Sequence, residues 1–344
     1  MRAVQLVGCR AEAELRDVPE PEPGPGEVLV KVEAAGLCHS DLHIMDWGEL
    51  PPGWATPMTL GHEIAGAVAG VGAGVTGVAE GEPVVVYGPW GCGRCRQCAL
   101  GAENICRRRT DRRMGAGVGF DGGLAELVVV PAPRLLVRRG GLDAVHAAPL
   151  TDAALTPFHA LAPHLWRLPP GATALVIGVG GLGHVAVQLI RSLSSARIVA
   201  VDRRARACAL ALAAGADAAL EDGDAAVAQL RALTDGEGAE LVLDFVGSDQ
   251  TVRLAASAIA LGGHVSVVGL AGAGSFPVGI GSIPAEWSAG KPSWGTLPEL
   301  HEVIALAQAG KVMVEVEVMG LDEAVSAYRR LRRGEIAGRI VLVP

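Results

Sequence analysis

Short apolar runs separated by glycine and proline dominate the first 150 residues of the chain. The run "VLVKV" predicts a strand over residues 28–32, and further short runs stand in "EIAGAVAGVGAGV", "GEPVVVYG" and "LAELVVVPA". Short strands with regularly spaced turn signals are typical of antiparallel barrels and sandwiches. The pattern therefore predicts a β-rich, barrel-like first domain.

The pattern changes near residue 170, where buried strands begin to alternate with helices. "TALVIG" and "RIVAVD" predict two strands around a glycine turn and a helix. A helix is then predicted in "RARACALALAAGAD", a strand in "ELVLDFVG", a helix over residues 251–263 and a strand over residues 264–271. This alternation indicates an α/β fold with a doubly wound parallel sheet. After residue 290 we expect helices and one last strand, "GRIVLVP".

Composition narrows the possible partners and the compartment. The 344 residues are half apolar, carry a net charge of −8 and include only 3% aromatic residues. This acidic, aromatic-poor balance argues against nucleic acid as a partner. We find no apolar stretch of membrane-spanning length and no signal-peptide pattern at the start. We therefore expect a cytoplasmic protein without membrane contact, whose cysteines stay reduced.

Four of the seven cysteines lie in one short window, "WGCGRCRQCALGAENIC". Cys92, Cys95, Cys98 and Cys106 have the spacing C-x2-C-x2-C-x7-C. Four thiolates suit a closed tetrahedral zinc site, which leaves no position for substrate and is therefore structural. Disulfides and an iron–sulfur cluster are the alternatives on the residues alone. In each case we expect the catalytic chemistry elsewhere in the chain.

The hexapeptide "GVGGLG" carries a dinucleotide-binding pattern. Gly178, Gly180 and Gly183 match G-x-G-x-x-G between an apolar strand and a helix, and Asp202 ends the next strand 19 positions after Gly183. Such glycines permit the turn, the approach of the pyrophosphate and the packing of the helix, and the acidic residue binds the ribose. Asp202 favours NAD. Arg203 and its neighbour Arg204 could hold the 2′-phosphate of NADP, or could be ordinary solvated arginines.

A second group of possible metal ligands lies in two separate loops. "GLCHSDLH" contains Cys38, and "LGHEIAG" contains His62. A cysteine and a histidine with an acidic third partner can form a zinc site with one open position. A lone histidine is more often a structural residue with satisfied hydrogen bonds, but the combination favours a metal site.

These motifs together resemble the zinc-dependent medium-chain alcohol dehydrogenases, in order and approximate spacing, along the whole chain. "PLTDAALTP" and "YGPWGCG" are most similar to the bacterial NAD-dependent secondary alcohol dehydrogenases, which reduce bulky, hydrophobic ketones. The resemblance implies a GroES-like catalytic domain over residues 1–152, with a structural zinc lobe at 90–108. It also implies a Rossmann domain over residues 153–290 and a return to the catalytic domain over residues 291–344.

The resemblance implies which residues hold the catalytic zinc. Cys38 and His62 match two ligands, and Asp152 matches the third, where many relatives have cysteine. The alternative role for Asp152 is the N-cap of the following helix, which aspartate fills well. Glu63 resembles a residue that supports the site or replaces a ligand. Asp41 resembles the carboxylate that orients a zinc-bound histidine.

The resemblance also implies a proton relay, a cofactor site and a substrate pocket. Ser40 and His43 match the relay that carries the substrate proton to solvent, and His39 and Arg339 match positions that contact pyrophosphate. The expected cofactor residues from the glycine turn and the strand ends are Gly178, Gly180, Gly181, Leu182, Gly183, Asp202, Arg203, Val246 and Val268. The expected pocket residues are Ile44, Trp47, Trp54 and Trp294, although each tryptophan could equally belong to the core or to an interface.

These roles predict an oxidoreductase with two zinc ions per chain and NAD. Zinc would act as a Lewis acid while hydride passes between substrate and nicotinamide. The expected substrate is a small molecule, a secondary hydrophobic alcohol or ketone or an aldehyde, and the alternative is a polyol or sugar. A non-catalytic zinc-stabilised dinucleotide-binding protein is disfavoured because all three catalytic ligands are present. We expect a homodimer or a homotetramer.

Overall fold

The computed structural model describes residues 1–109, 111–221, 224–272, 275–276 and 284–344, without the side chain of residue 224. Its strands and helices follow in chain order. They are β1 (Arg2–Leu6), β2 (Glu14–Asp17), β3 (Val28–Gly36), α1 (His39–Asp46), β4 (Met58–Thr59), β5 (Glu63–Val71), β6 (Pro83–Val86), α2 (Arg96–Ala99), β7 (Gly115–Ala116), β8 (Gly119–Phe120), β9 (Leu127–Val130), β10 (Leu136–Arg138), α3 (Ala144–Ala147), α4 (Leu155–Leu161), β11 (Thr173–Ile177), α5 (Gly183–Leu193), β12 (Arg197–Asp202), α6 (Ala205–Ala213), β13 (Ala218–Glu221), α7 (Asp224–Leu233), β14 (Ala239–Asp244), α8 (Asp249–Ala258), β15 (Ile259–Val267), β16 (Ser288–Gly290), α9 (Leu297–Gln308), β17 (Val316–Gly320), α10 (Ala324–Arg332) and β18 (Arg339–Val343).

The chain divides into two compact units. Met1–Leu155 and Trp294–Pro344 form the first unit, and Thr156–Ser293 form the second. Both boundaries lie three residues beyond positions 152 and 290, where the sequence led us to expect them. Residues 294–344 thus rejoin the unit in which the chain begins.

The first unit is built on a seven-stranded sheet in the order β10-β6-β5-β3-β18-β17, with β9 also paired to β3. The long strands β3 and β5 run antiparallel, and Gly36 at the end of β3 lies opposite Glu63 at the start of β5. Gly36 has no room for a side chain, because a Cβ there would lie 1.8 Å from a carboxylate oxygen of Glu63. This pairing brings the segments after β3 and before β5 to the same place.

The second unit contains a six-stranded parallel sheet in the order β13-β12-β11-β14-β15-β16. Counted from β11, this is the 3-2-1-4-5-6 order of a dinucleotide-binding fold. Strands β11, β12 and β14 are buried along nearly their whole length, which accounts for their continuous apolar runs. The carboxyl ends of these strands are where such sheets bind ligands.

Two sequence-based assignments of secondary structure are wrong. The helix expected over residues 251–263 ends at Ala258, and Ile259 begins β15. The helix stops there because Ile259 has an extended backbone, with φ −69° and ψ 144°, and pairs with Ala239 of β14. After residue 290 the structure also contains β17, which pairs in parallel with β18 and was not expected. The predicted strand over residues 28–32 is longer, since β3 continues to Gly36.

Candidate metal centres and cofactor site

The four clustered cysteines converge around one point. Cys95 Sγ lies 3.5 Å from Cys98 Sγ and 3.9 Å from Cys106 Sγ, and Cys92 Sγ lies 3.9 Å from Cys98 Sγ. A tetrahedral zinc with Zn–S bonds of ~2.3 Å separates its sulfurs by about 3.8 Å. The sulfur positions therefore fit a closed four-thiolate zinc site.

A buried carboxylate fastens the loop around these cysteines. Glu103 accepts a hydrogen bond from the backbone N–H of Gly91 at 2.6 Å and one from Arg134 Nε at 2.9 Å. A Cβ on Gly91 would lie 2.7 Å from Cys98 Sγ, so only glycine fits beside the sulfurs. The loop is thus held in shape by contacts that are independent of any ion.

The second set of donors is Cys38, His62 and Asp152, all buried. Their ligand atoms lie within 4.8 Å of one another. Asp152 Oδ2 lies 3.6 Å from Cys38 Sγ and 3.6 Å from His62 Nε2. Two ligands of a tetrahedral zinc lie about 3.4 Å apart for N and O donors, and slightly farther apart when one is sulfur. One sulfur, one nitrogen and one oxygen donor fit zinc with a fourth position left for substrate.

The charges around this set favour a cation. Burial lowers the pKa of His62, but the carboxylates of Asp41 and Asp152 outweigh burial and raise it well above its ordinary value. Asp41 is fully buried, and its Oδ1 lies 3.2 Å from His62 Nδ1. A carboxylate at this position fixes the ring of a metal-bound histidine and its tautomer. The site thus has a donor set and an orienting partner that suit zinc.

Glu63 and Arg339 form a buried ion pair beside the donors. Both oxygens of Glu63 accept hydrogen bonds from Arg339 Nε at 3.1 Å, and Arg339 Nη2 donates to Asp152 Oδ2 at 3.1 Å. Burial raises the pKa of Glu63 to about 7, against the opposing effect of Arg339. Arg339, expected on the pyrophosphate, lies here between Glu63 and Asp152 and is almost completely buried. Its contact with the cofactor stays a prediction.

Helix α1 carries the two residues expected to form the proton relay. Ser40 Oγ lies 3.5 Å from Cys38 Sγ, so the hydroxyl borders the metal donors. His43 is partly exposed, one turn further along α1. His39, the first residue of α1, is exposed. The helix therefore leads from a buried sulfur toward solvent.

The expected pocket residues fall into two groups. Trp294 is buried and packs edge-on against the ring of His62, with 5.4 Å between ring centroids. Its Nε1 donates to the Thr151 carbonyl at 3.0 Å. Trp47 and Trp54 contact each other edge-on at 5.2 Å, and Ile44 is buried in α1. Of these four residues, Trp294 is the one whose ring packs against a metal donor in the described part of the chain.

The glycine turn has the spatial requirements of a dinucleotide loop. Gly178 has a φ of +85°, and a Cβ there would lie 2.6 Å from Val246 Cγ2. A Cβ on Gly183 would lie 2.0 Å from the Gly178 carbonyl oxygen, so glycine lets α5 pack on β11. A Cβ on Gly180 would have Arg204 Nη2 as its nearest neighbour, at 3.9 Å, so this side of the backbone is open to approach. Gly181 and Leu182 follow, and Leu182 is the N-cap of α5.

Asp202 ends β12 beside this turn. Its carboxylate accepts hydrogen bonds from Val179 N at 2.8 Å, from Arg204 N at 2.9 Å and from Arg204 Nε at 3.0 Å. Burial raises its pKa, but the hydrogen bonds from Arg204 and Val179 prevail and hold the pKa below its ordinary value. Arg203 is exposed. The carboxylate is thus ionised and fixed at the edge of the loop.

Val246 and Val268 follow the carboxyl ends of β14 and β15. Both are tied to Asp244: Val246 N donates to its Oδ1 at 2.9 Å, and Val268 N to its carbonyl oxygen at 2.8 Å. A cavity of about 400 Å³ lies nearby, and its lining includes Gly247, Gly269 and Lys291. These positions belong to the sheet edge where a nucleotide binds in this fold.

Comparisons with known proteins extend over the whole chain. Residues 24–139 match the alcohol dehydrogenase GroES-like domain, and residues 181–309 match the zinc-binding dehydrogenase family. The NAD-dependent alcohol dehydrogenase of Sulfurisphaera tokodaii is 37% identical, with both chains covered completely. The chain belongs to the zinc-dependent medium-chain alcohol dehydrogenase family.

Two further members of this alcohol dehydrogenase family are informative. The crystal structure of the alcohol dehydrogenase from Aeropyrum pernix superposes with a TM-score of 0.92, at 34% identity and with both chains fully covered. The D-arabinose 1-dehydrogenase (NADP(+)) of Saccharolobus solfataricus is 33% identical over 96% of this chain and 94% of its own. Family membership makes the chain an oxidoreductase and confirms the expected fold class.

The expected cofactors of this alcohol dehydrogenase, zinc and NAD, are confirmed at the level of the family. The two groups of converging donors account for two zinc ions. Among the described residues, no helix has the length and apolar character needed to cross a membrane.

Tyr328 belongs to the site but could not be identified from the sequence. Tyr328, on α10, is buried, and its hydroxyl donates to Asp41 Oδ2 at 3.0 Å. The two residues are 287 positions apart, and nothing in the local sequence around Tyr328 marks it as part of a site. Tyr328 and Asp41 come together because residues 294–344 return to the first unit.

Proposed function

We propose that this alcohol dehydrogenase oxidises a secondary alcohol with hydrophobic substituents to the ketone, reversibly and with NAD. The observation that carries the proposal is the buried set of Cys38, His62 and Asp152, in the same chain as a glycine turn followed by Asp202. When bound, zinc would act as a Lewis acid toward the substrate oxygen. Cys38, His62 and Asp152 would hold that ion, and the four clustered cysteines would hold a structural one.

The chain's own residues would handle the proton. Oxidation transfers hydride from the carbinol carbon to C4 of the nicotinamide of NAD⁺, and the hydroxyl proton must leave for solvent. Ser40 borders the donor Cys38 at 3.5 Å, and His43 is partly exposed on the same helix. Histidine suits the last step because its two ring nitrogens can accept one proton and donate another. In the reverse direction the same path supplies the proton that converts the ketone to the alcohol.

The cofactor residues support NAD over NADP. The carboxylate of Asp202 would accept hydrogen bonds from the ribose hydroxyls and would repel a 2′-phosphate. Gly180 leaves the backbone accessible to the pyrophosphate, beside the N-terminus of α5, which favours anions. We include Gly181, Leu182, Val246 and Val268 in the proposed cofactor site, with His39 and Arg339 as proposed pyrophosphate contacts. Arg203 is the residue that would permit NADP.

One apolar side chain beside His62 and three in the segment between Cys38 and His62 favour a hydrophobic substrate. Trp294 covers one edge of His62, and Ile44, Trp47 and Trp54 add further apolar surface in the segment between Cys38 and His62. A sugar or polyol substrate is the second candidate, favoured by the similarity to a D-arabinose 1-dehydrogenase. A polyol pocket would need several side-chain hydrogen-bond partners, which these four residues do not offer beyond the indole N–H groups.

A substrate and cofactor screen tests this proposal. Purified, zinc-loaded protein would be assayed with apolar secondary alcohols and with polyols, each with NAD⁺ and with NADP⁺. We expect the highest kcat/KM with an apolar secondary alcohol and NAD⁺. A higher kcat/KM for polyols would establish the second candidate, and inactivity of the zinc-loaded protein toward both classes would contradict the proposal.

We also propose that the protein acts as a homodimer or a homotetramer in the cytoplasm. The compartment is supported by the two cysteine-containing donor sets, because thiolates ligate metal only while they stay reduced. All seven cysteines are free thiols in the structure. Sedimentation analysis of the zinc-loaded protein would measure the oligomeric state directly.

A further inference from the structure

We propose that Tyr328 is a positioning residue of the catalytic zinc site, acting through Asp41 on the ligand His62. The inference rests on the proposed function, because it requires that Cys38, His62 and Asp152 hold zinc. Tyr328 touches neither substrate nor cofactor in this proposal. Its effect passes through two contacts, from the phenol to a carboxylate and from the carboxylate to an imidazole.

Tyr328 is joined to Asp41 by a hydrogen bond, and Asp41 to His62 by a close contact at ion-pair distance that lacks hydrogen-bond geometry. Tyr328 Oη donates to Asp41 Oδ2 at 3.0 Å, and the other oxygen, Oδ1, lies 3.2 Å from His62 Nδ1. The opposite nitrogen of the ring, His62 Nε2, faces Asp152 Oδ2 at 3.6 Å. The backbone N–H of Cys38 also donates to Asp41 Oδ2, at 3.0 Å. One carboxylate thus connects two metal donors to Tyr328.

Because the carboxylate of Asp41 is buried, its orientation depends on the groups that donate hydrogen bonds to it. Asp41 has no exposed surface, and Tyr328 is 4% exposed. A buried carboxylate must be satisfied by hydrogen bonds, since no water replaces a lost donor. Without the phenol, Oδ2 would keep the Cys38 N–H as its donor, and the carboxylate could rotate about its Cβ–Cγ bond. The ring of His62 would then lose the partner that fixes it.

The phenol is suited to act as a permanent donor. Burial and the neighbouring Asp41 hold the pKa of Tyr328 well above its ordinary value, so the hydroxyl keeps its proton throughout the working range. Both groups stand on helices, Asp41 in the first turn of α1 and Tyr328 in α10. Sites supported from regular elements hold their geometry better than sites supported from loops.

The composition of the chain provides a matched control. It contains two tyrosines, and both are buried. Tyr87 donates its hydroxyl to the Gly295 carbonyl at 2.6 Å and makes no hydrogen bond to Asp41 in the described structure. Tyr87→Phe therefore removes a buried phenolic hydroxyl just as Tyr328→Phe does, without touching the carboxylate. Loss of stability alone would appear in both variants.

The first experiment measures zinc affinity by competition with a chelator. We expect Tyr328→Phe to weaken binding of the more labile zinc about tenfold, the lower end of the range for direct partners of zinc-bound histidines. The other zinc of Tyr328→Phe, and the labile zinc of Tyr87→Phe, should bind as in wild type. If Tyr328 acts through Asp41, then Tyr328→Phe should add nothing in an Asp41→Asn background. Wild-type zinc affinity in Tyr328→Phe, or independent effects in the double variant, would overturn the inference.

A second experiment keeps the native hydroxyl, so it does not depend on the folding of Tyr328→Phe. In the Tyr87→Phe protein, 3-fluorotyrosine labels Tyr328 alone and gives one ¹⁹F resonance. We expect this resonance to shift when the labile zinc is withdrawn, and to shift much less in an Asp41→Asn background. An unmoved resonance on zinc removal would refute the connection. A wild-type protein that binds no second zinc would instead refute the proposed function. The experiment therefore distinguishes failure of this inference from failure of the proposed function.

Discussion

At the scale of single residues, neighbouring carboxylates acquire different tasks from their surroundings. Asp41 faces Nδ1 of His62, and Asp152 faces Nε2 on the opposite side of the ring. Glu63 accepts hydrogen bonds from Arg339. The sequence alone could name all three as members of one site, because each stands in or beside a recognisable motif. It could not reveal that Arg339 pairs with Glu63 and Asp152, since that contact joins residues 276 and 187 positions apart.

The role of Asp152 gives the first residue-scale prediction. Asp152→Asn keeps the size of the side chain and its ability to cap a helix, but removes the negative charge from the donor set. We expect near-normal folding, loss or loosening of one of the two zinc ions and a large fall in turnover, because turnover depends on the Lewis acid. Metal analysis and steady-state kinetics measure both effects.

A helix cap elsewhere serves as the control for this variant. Asp143 is exposed, belongs to neither donor set and caps α3 by accepting from His146 N, so Asp143→Asn should leave zinc content and turnover unchanged. A lost cap costs only about 1 kcal/mol of stability. If Asp152→Asn keeps both zinc ions tightly and turns over normally, then Asp152 is not a ligand, and Glu63 becomes the candidate.

Asp202 gives the second residue-scale prediction. Asp202→Ala should lower kcat/KM with NAD⁺ by about tenfold or more, because a hydrogen bond to a charged group contributes about 1.5–3 kcal/mol. It should also relax the preference over NADP⁺, since the charge that repels a 2′-phosphate is gone and Arg204 is released. Kinetics with both cofactors test this, with Asp217→Asn as a control carboxylate on the same unit. An unchanged cofactor ratio would count against the role.

At the scale of elements, the sequence predicted those parts of the fold whose signal is local. The glycine turn, β11, α5 and β12 follow one another within thirty residues, and each has its own apolar or glycine pattern. The sequence placed the end of α8 too late because Ile259 and its neighbours continue an apolar helical pattern, whereas in the structure Ile259 pairs with Ala239 of β14. Strand β17 was not predicted because its residues are partly or fully exposed and its place in the sheet depends on pairing with β18. Such long-range pairing overrides local propensity.

The glycine turn before α5 supports an element-scale prediction that separates the packing of α5 from the binding of NAD. Gly183→Ala places a Cβ 2.0 Å from the Gly178 carbonyl oxygen, so α5 must move away from β11. We expect it to cost about 1–3 kcal/mol, as overpacking usually does, and to weaken NAD binding as well. Gly180→Ala meets its nearest atom at 3.9 Å and should fold normally, yet weaken NAD by obstructing the pyrophosphate. Thermal melts and cofactor titrations distinguish the two, and equal effects on stability would refute this division of roles.

At the scale of the whole molecule, two ways of binding metal are built into the first unit. The structural set comes from one window of the chain, so its spacing could be read from the sequence. The catalytic set comes from the segments after β3 and before β5 and from Asp152, and it exists only because β3 pairs with β5 in the observed register. The sequence could propose its members through family resemblance, but the register and the support from Tyr328 required the folded chain.

Because the two donor sets differ in the number of protein ligands, we expect the two zinc ions to leave the protein one after the other. The set of Cys38, His62 and Asp152 offers three protein ligands and an open position, whereas the four cysteines close their site completely. A chelator in moderate excess should therefore remove the catalytic zinc first and abolish activity. The structural zinc lobe, residues 90–108, should keep its zinc and its thermal unfolding transition. Cys98→Ser should do the reverse, losing the structural zinc and much of the stability, while the protein that remains folded keeps its catalytic zinc. Metal content, activity and thermal unfolding measured on the same samples would show the order in which the two ions are lost. Simultaneous loss of both ions would mean that the two sites are coupled and would contradict this prediction.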